Sequence, residues 1–152
     1  MTMSRRGAMR AAALAGLGGL TGCGPVQHRV GTLVGHWSQS EAQGRPNDYA
    51  GPPVLVTDPA GWQTAASRLP ERLAADPALA GNAFETSVLV VGSYPRCREQ
   101  SRVLDEGGGR LVFEVHNPEP NVSCVWSPLQ IDVWRVDLSS LAARPTSVSR
   151  RP

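Results

Sequence analysis

The sequence predicts an α+β domain: an antiparallel sheet of about five strands with one principal helix packed on it and one disulfide. Three observations carry that expectation. Leu111–Val115 and Leu129–Val136 alternate in the period of two that suits strands. Asp58-Pro59 opens a stretch in which Trp62, Ala65, Ala66 and Leu69 recur at helical spacing. Cys97 and Cys124 bracket a hairpin signal centred on Asp105-Glu106-Gly107-Gly108-Gly109.

The chain starts with the three zones of an export signal. Arg5, Arg6 and Arg10 form a positive region, Ala11 to Leu20 an apolar run too short to span a bilayer, and Leu20-Thr21-Gly22-Cys23 follows. That tetrapeptide resembles the lipobox of bacterial lipoproteins. The resemblance implies diacylglycerol on the Cys23 thiol, cleavage just before it, and a membrane as the first partner. Ser4-Arg5-Arg6 also fits a twin-arginine signal, and the general export route stays open beside it. The expected organisation is a signal peptide over 1–22, a lipidated tether over 23–29, a single domain over 30–141 and a disordered tail over 142–152.

Within the domain, Val30 to Trp37 reads as a first strand and Ser38 to Pro53 as a polar, Pro-rich loop. Val54 to Thr57 is a short strand. Asp58 can cap the free N–H groups of the next helix, and Pro59 suits its first position. Pro70 kinks or ends that helix, Leu73 adds a further turn, and Asp76-Pro77 closes the region. Val88-Leu89-Val90-Val91 has no alternation, as expected of a central strand buried on both faces. The hairpin follows: Arg98 to Leu104, a turn, then Arg110 to His116. Its glycines read as turn residues with positive φ. They lead into a strand, whereas a phosphate-binding loop leads into a helix. In Leu129 to Val136, Leu129, Ile131 and Val133 oppose Gln130, Asp132 and Trp134.

Composition narrows the partners. The precursor carries a formal charge of +2, all of its cationic side chains being arginine. Three of the fifteen leave with the signal, so twelve face thirteen acidic residues and the mature charge is −1. No basic cluster points to nucleic acid. Cys97 and Cys124 remain after lipidation and read as a structural disulfide, since disulfides persist outside the cytoplasm. The alternative, a metal or redox pair, lacks a C-x-x-C spacing and a neighbouring His cluster.

The sequence offers little catalytic chemistry, and no cofactor or metal is expected. Gly92-Ser93-Tyr94 lacks the second glycine of a nucleophile elbow. His36 and His116 fall at strand ends and His28 in the tether. Asp105-Glu106 reads as a solvated turn rather than an acid–base pair. Asn121-Val122-Ser123 matches a glycosylation sequon, a pattern short enough to recur by chance. Trp62 belongs to the helix face that turns inward. Trp134 shares a strand face with Gln130 and Asp132 and is expected to be partly exposed. With Tyr94, Arg96, Arg98 and Arg102 it outlines a possible binding face, the alternative being a solvated sheet surface.

The order of elements supplies one more resemblance. A strand ending in Trp37-Ser38 leads through a loop to Val54-Leu55-Val56-Thr57-Asp58-Pro59-Ala60-Gly61-Trp62. A buried strand, a cysteine-flanked hairpin and a final strand complete the order. Over residues 30–137 this resembles the PrcB-like domain, named for a lipoprotein subunit of a bacterial surface protease complex. The Pro46 to Pro53 loop departs from that pattern, and no functional residue carries over. The resemblance implies a non-catalytic partner domain on the cell surface. The leading expectation is therefore a tethered, non-enzymatic domain that binds or stabilises another exported protein. A small envelope-directed hydrolase and a small-molecule-binding lipoprotein stand as alternatives. Ser93 and His116 converging with a carboxylate would favour the hydrolase, and a deep apolar pocket the small-molecule binder.

Overall fold

The computed structural model describes residues 27–39 and 49–151. The expected signal peptide, Cys23, tether residues 24–26, loop residues 40–48 and Pro152 lie outside the described residues.

Gly31 decides the first turn of the architecture. Its φ is +81°, and a Cβ there would lie 2.7 Å from the Arg135 carbonyl oxygen and 2.9 Å from a Val136 methyl. No other residue accepts both constraints. The single strand expected from Val30 to Trp37 is thus broken into β1 (His28–Val30) and β2 (Thr32–Ser38). The break sends the chain from one sheet into another.

Two four-stranded sheets result, where one sheet of about five strands was expected. The further elements are β3 (Val54–Val56), α1 (Pro59–Ala66), α2 (Glu71–Ala74), α3 (Pro77–Ala80), β4 (Ser87–Pro95), β5 (Gln100–Gly107), β6 (Arg110–His116), β7 (Leu129–Asp137) and β8 (Ser147–Arg151). The first sheet has the order β1-β5-β6-β8 and the second β2-β7-β4-β3. Every pairing is antiparallel except that of β6 with β8.

Side-chain alternation on β4 builds two cores. Val88, Val90 and Tyr94 enter a cluster between the sheets with Val103, Leu111, Phe113, Trp134 and Val136. Leu89 and Val91 enter a second cluster with Trp62, Leu73, Leu79 and Ile131, where the helices cover the second sheet. The expected burial of Val88–Val91 on both faces is met by this arrangement, and the order of layers is sheet, sheet, helix. Gly92 lets the first cluster close, since a Cβ there would sit 2.4 Å from the Phe113 ring.

Local signals act as the sequence suggests at α1. Asp58 Oδ1 accepts a hydrogen bond from Gly61 N at 2.8 Å, and Pro59 takes the first turn. Asp76 repeats the device on Ala78 N, also at 2.8 Å, so Asp76-Pro77 opens α3 rather than closing the helical region. Gly107, Gly108 and Gly109 all have positive φ and turn β5 into β6.

The tail expected to be disordered over 142–152 instead contributes β8, parallel to β6. Polar anchors hold it, which apolar periodicity does not report. Thr146 N donates to the Gly109 carbonyl at 2.8 Å. An Arg150 nitrogen donates to the Gly51 carbonyl at 2.9 Å and also to the Ser93 carbonyl. Arg151 pairs with Glu106, and Val148 packs on the cluster between the sheets.

The contact of Gly92 with Phe113 is open to test. Gly92→Ala should lower the free energy of unfolding by about 1–3 kcal/mol through overpacking. Combined with Phe113→Leu, which clears the ring, the loss should fall short of the sum of the single losses by about 1 kcal/mol. Urea unfolding of the four proteins checks both statements.

Candidate functional site

Three features concentrate chemistry or exposure. The first is a polar cleft of about 570 Å³ bordered by strands of both sheets. The period of two on β7 turns Gln130, Asp132 and Trp134 toward the first sheet, and Asp132 is only 4 % exposed. A buried carboxylate is costly unless it is hydrogen-bonded. Here Tyr94 Oη donates to Asp132 Oδ2 at 2.8 Å, Ser101 Oγ to the same oxygen at 2.5 Å, and Gln130 Nε2 to Oδ1 at 2.9 Å. Trp134 Nε1 in turn donates to Ser101 Oγ at 2.9 Å. Burial, then the neighbouring Asp132 charge and its hydrogen bond, push the Tyr94 phenol far above its ordinary value. Tyr94 is accordingly a donor at any physiological pH, neither a base nor a nucleophile.

Arg29 and Arg96 line the same cleft. The Arg29 guanidinium stands 5.7 Å from the centre of the Trp134 ring, within cation–π range. Arg96 Nη1 reaches Gln130 Oε1 at 3.4 Å. Of the five residues proposed as a binding face, Tyr94, Arg96 and Trp134 therefore meet here. Trp134 is 4 % exposed, however, and belongs to the core, contrary to the expected partial exposure. Arg98 lies apart, 3.8 Å from Glu119 in a pair whose two side chains are each 53 % exposed. Arg102 is bound to Glu114 on the far face of the first sheet.

Strand alternation also separates the residues weighed for a hydrolase. Ser93 lies on the helix-facing side of β4, with Val91. His116 ends β6 on the side of Glu114, facing away from the second sheet. Among the described residues, no group of three or more His, Cys, Asp and Glu is arranged to hold a metal ion.

The second feature is the segment from Asn117 to Pro128, between β6 and β7. Cys97 and Cys124 are bonded, with Cα atoms 5.9 Å apart. Arg96 N donates to the Pro128 carbonyl at 2.8 Å, which fixes the return of the segment beside the end of β4. The Glu99 carboxylate accepts from Cys97 N at 2.5 Å and from Arg98 N at 3.0 Å. Those backbone donors hold its pKa below the usual glutamate value. On this braced segment Val122, Val125 and Trp126 are exposed at 38 %, 108 % and 59 %. Trp126 is thus the exposed aromatic that Trp134 was expected to be. A sequence signal existed: Pro118, Pro120 and Pro128 bound a short segment rich in Asn and Ser, which favours a loop for Val125-Trp126.

The third feature is a cavity of about 300 Å³ on the other side of the second sheet, between α1 and strands β3 and β4. Its walls are mainly apolar, and Ser93, Thr64 and Arg68 supply polar groups.

Compared with protein-family models, curated proteins and solved structures, the chain matches none. Function is therefore read from the chemistry of these three places.

Two measurements check the electrostatics and the covalent brace. In an alkaline absorbance titration, one of the two tyrosines should ionise only as the protein unfolds. The sign follows from the raised folded pKa: the unfolded phenol loses its proton above about pH 10 while the native one keeps it. Stability from this group is therefore full below that pH and falls as pH rises further. Tyr94→Phe should remove the resistant tyrosine signal. Separately, reduction of Cys97–Cys124, whose sequence separation is 27, should destabilise the domain by about 3 kcal/mol. Thermal melts with and without reductant report this, and mass spectrometry of unreduced peptides should find the two cysteines joined.

Proposed function

We propose that the chain is a membrane-tethered extracytoplasmic lipoprotein without catalytic activity, which binds another exported protein through the segment braced by Cys97–Cys124. The observation that carries this reading is the exposure of Val122, Val125 and Trp126 on a segment tied to the end of β4 by a disulfide and by the Arg96–Pro128 hydrogen bond. Solvated apolar side chains on a pre-organised support suit a protein contact, because little ordering entropy is lost on binding. Trp126 on this segment and Arg98 next to the disulfide are of the residue types that dominate binding energies. The Arg98–Glu119 pair is half exposed and holds little energy, so the Arg98 fork is available to a partner's carboxylate.

The tether supports a protein over the bilayer as the contact. Lipid on Cys23 would leave five residue steps to His28, a reach of about 17 Å at most. His28 pairs with Asp105 beside the hairpin turn, whereas His116 pairs with Gln100 at the other end of the first sheet. The Val125–Trp126 segment follows His116 and so lies at the end remote from the tether. Among the described residues no helix is long and apolar enough to cross a membrane; the proposed anchor is the lipid on Cys23. The resemblance to the PrcB-like domain implies the same role, a partner domain at a cell surface.

Two substitutions test the anchor and the contact. Cys23→Ala should abolish lipid labelling and release the protein from membranes; retention equal to the parent would overturn the tether. A photo-crosslinking residue in place of Trp126 should join the chain to a protein partner in intact cells, and one in place of Arg110, exposed beside the hairpin turn, should not. Equal yield at both positions, or no protein adduct at position 126, would overturn the contact. With the partner in hand, Trp126→Ala should weaken binding by about 2 kcal/mol, near thirtyfold.

A further inference from the structure

We propose that the cavity beneath α1 is a binding site for a small carboxylic acid with an apolar body and a second hydrogen-bonding oxygen at its far end. The site is distinct from the Cys97–Cys124 segment, and the inference does not depend on the protein-binding reading.

The walls define the body of the ligand. Tyr49, Leu55, Ala65, Leu69, Val91 and Ile131 give an apolar lining around about 300 Å³. That volume is at the small end of ligand sites and suits a single ring or a short branched chain, not a two-chain lipid. The Tyr49 ring is itself fixed, packed edge-on against Trp37 with ring centres 5.9 Å apart.

Two polar groups define the ends. Ser93 is 6 % exposed and faces the cavity side of β4 with Val91, so its hydroxyl is a polar group on an otherwise apolar inner wall. A hydroxyl placed among apolar walls fixes the orientation of an occupant, here by holding its oxygen or N–H. The other nearby hydroxyl is already used, Thr64 Oγ1 donating to the Ala60 carbonyl at 3.1 Å. Arg68 follows α1 on the same lining, exposed and without an ion pair among the described residues. Its guanidinium offers the fork that a carboxylate fills. An acid would enter with its apolar body inward, its far oxygen on Ser93 and its carboxylate left at Arg68.

The site is also braced from outside. Arg150 of β8 hydrogen-bonds the carbonyls of Gly51 and Ser93, both of which line the cavity. Two separate walls are thereby held by one side chain, and the space is kept from collapsing.

Titration calorimetry of the full chain with para-hydroxyphenylpropionate as probe tests the proposal. Saturable one-to-one binding tighter than about 1 mM is expected. Phenylpropionate, which lacks the far oxygen, should bind several-fold more weakly, and so should para-hydroxyphenylpropanol, which lacks the charge. Arg68→Gln changes an exposed residue and leaves the fold intact; it should weaken the acid about tenfold and leave the alcohol unchanged. Ser93→Ala should erase the advantage of the hydroxylated acid over phenylpropionate. Ala65→Phe, checked by circular dichroism for an unchanged fold, should fill the space and abolish binding. Absence of saturable binding to the parent chain would overturn the proposal. So would binding of the acid indifferent to Arg68→Gln.

Discussion

Nine consecutive residue pairs join β4 to β7, from Ser87 with Asp137 to Pro95 with Leu129. The two strands present Leu89, Val91, Ile131 and Val133 to the helices and Val88, Val90, Trp134 and Val136 to the first sheet, so this pair belongs to both cores at once. Removing it would leave the first sheet without an inner surface and the helices without a floor. The helices themselves are short, four to eight residues, and such segments have little stability in isolation. Their order comes from packing on Leu89, Val91, Ile131 and Val133. The cavity beneath α1 and the cleft at Asp132 are the two sides of the same strand pair.

Among the described residues, Asp132 is the one acidic side chain buried between the sheets. Its three donors come from β4, β5 and β7, so the network spans the interface of the sheets. Apolar packing alone tolerates small slides between layers, whereas a carboxylate satisfied by fixed donors does not. A neutral substitute at position 132 would leave Tyr94, Ser101 and Gln130 with unmet hydrogen bonds. The same completeness argues against chemistry at this place, because each carboxylate oxygen already faces a donor.

The parts legible in the sequence are those fixed by local physics. Asp58-Pro59 starts α1 because cap and φ requirements are met within four residues. Gly107 to Gly109 turn the hairpin because their φ values exclude other residues. Val88 to Val91 reads as doubly buried because water tolerates neither face. Cys97 and Cys124 flank a hairpin, and the hairpin brings them together. What stayed hidden depends on distant partners. Gly31 looks like an ordinary glycine until Arg135 is packed against it, so one expected strand became two. β8 is written in arginines, and their partners, Gly51, Ser93 and Glu106, are remote in sequence. Trp134 was expected to be partly exposed and is core, since alternation along β7 distinguishes two faces but not which of them a second sheet covers. Of the site, Arg96 and Tyr94 were legible as neighbours, but Ser93 and Arg68 became a pair only through the placement of α1 on the second sheet.

The margins of the two sheets have a consequence for self-association. An exposed strand edge is a template on which a neighbouring copy can extend the sheet. Of the four edge strands here, β1 and β3 are only three residues long. β2 has a register irregularity between Leu33 and Gly35. β8 ends in Arg150 and Arg151, whose charges would meet their own kind in a second copy. None is a long, flat, neutral ribbon. Molecules confined to two dimensions by the proposed anchor would meet one another far more often than in solution, and these blunted margins would let them stand side by side without polymerising.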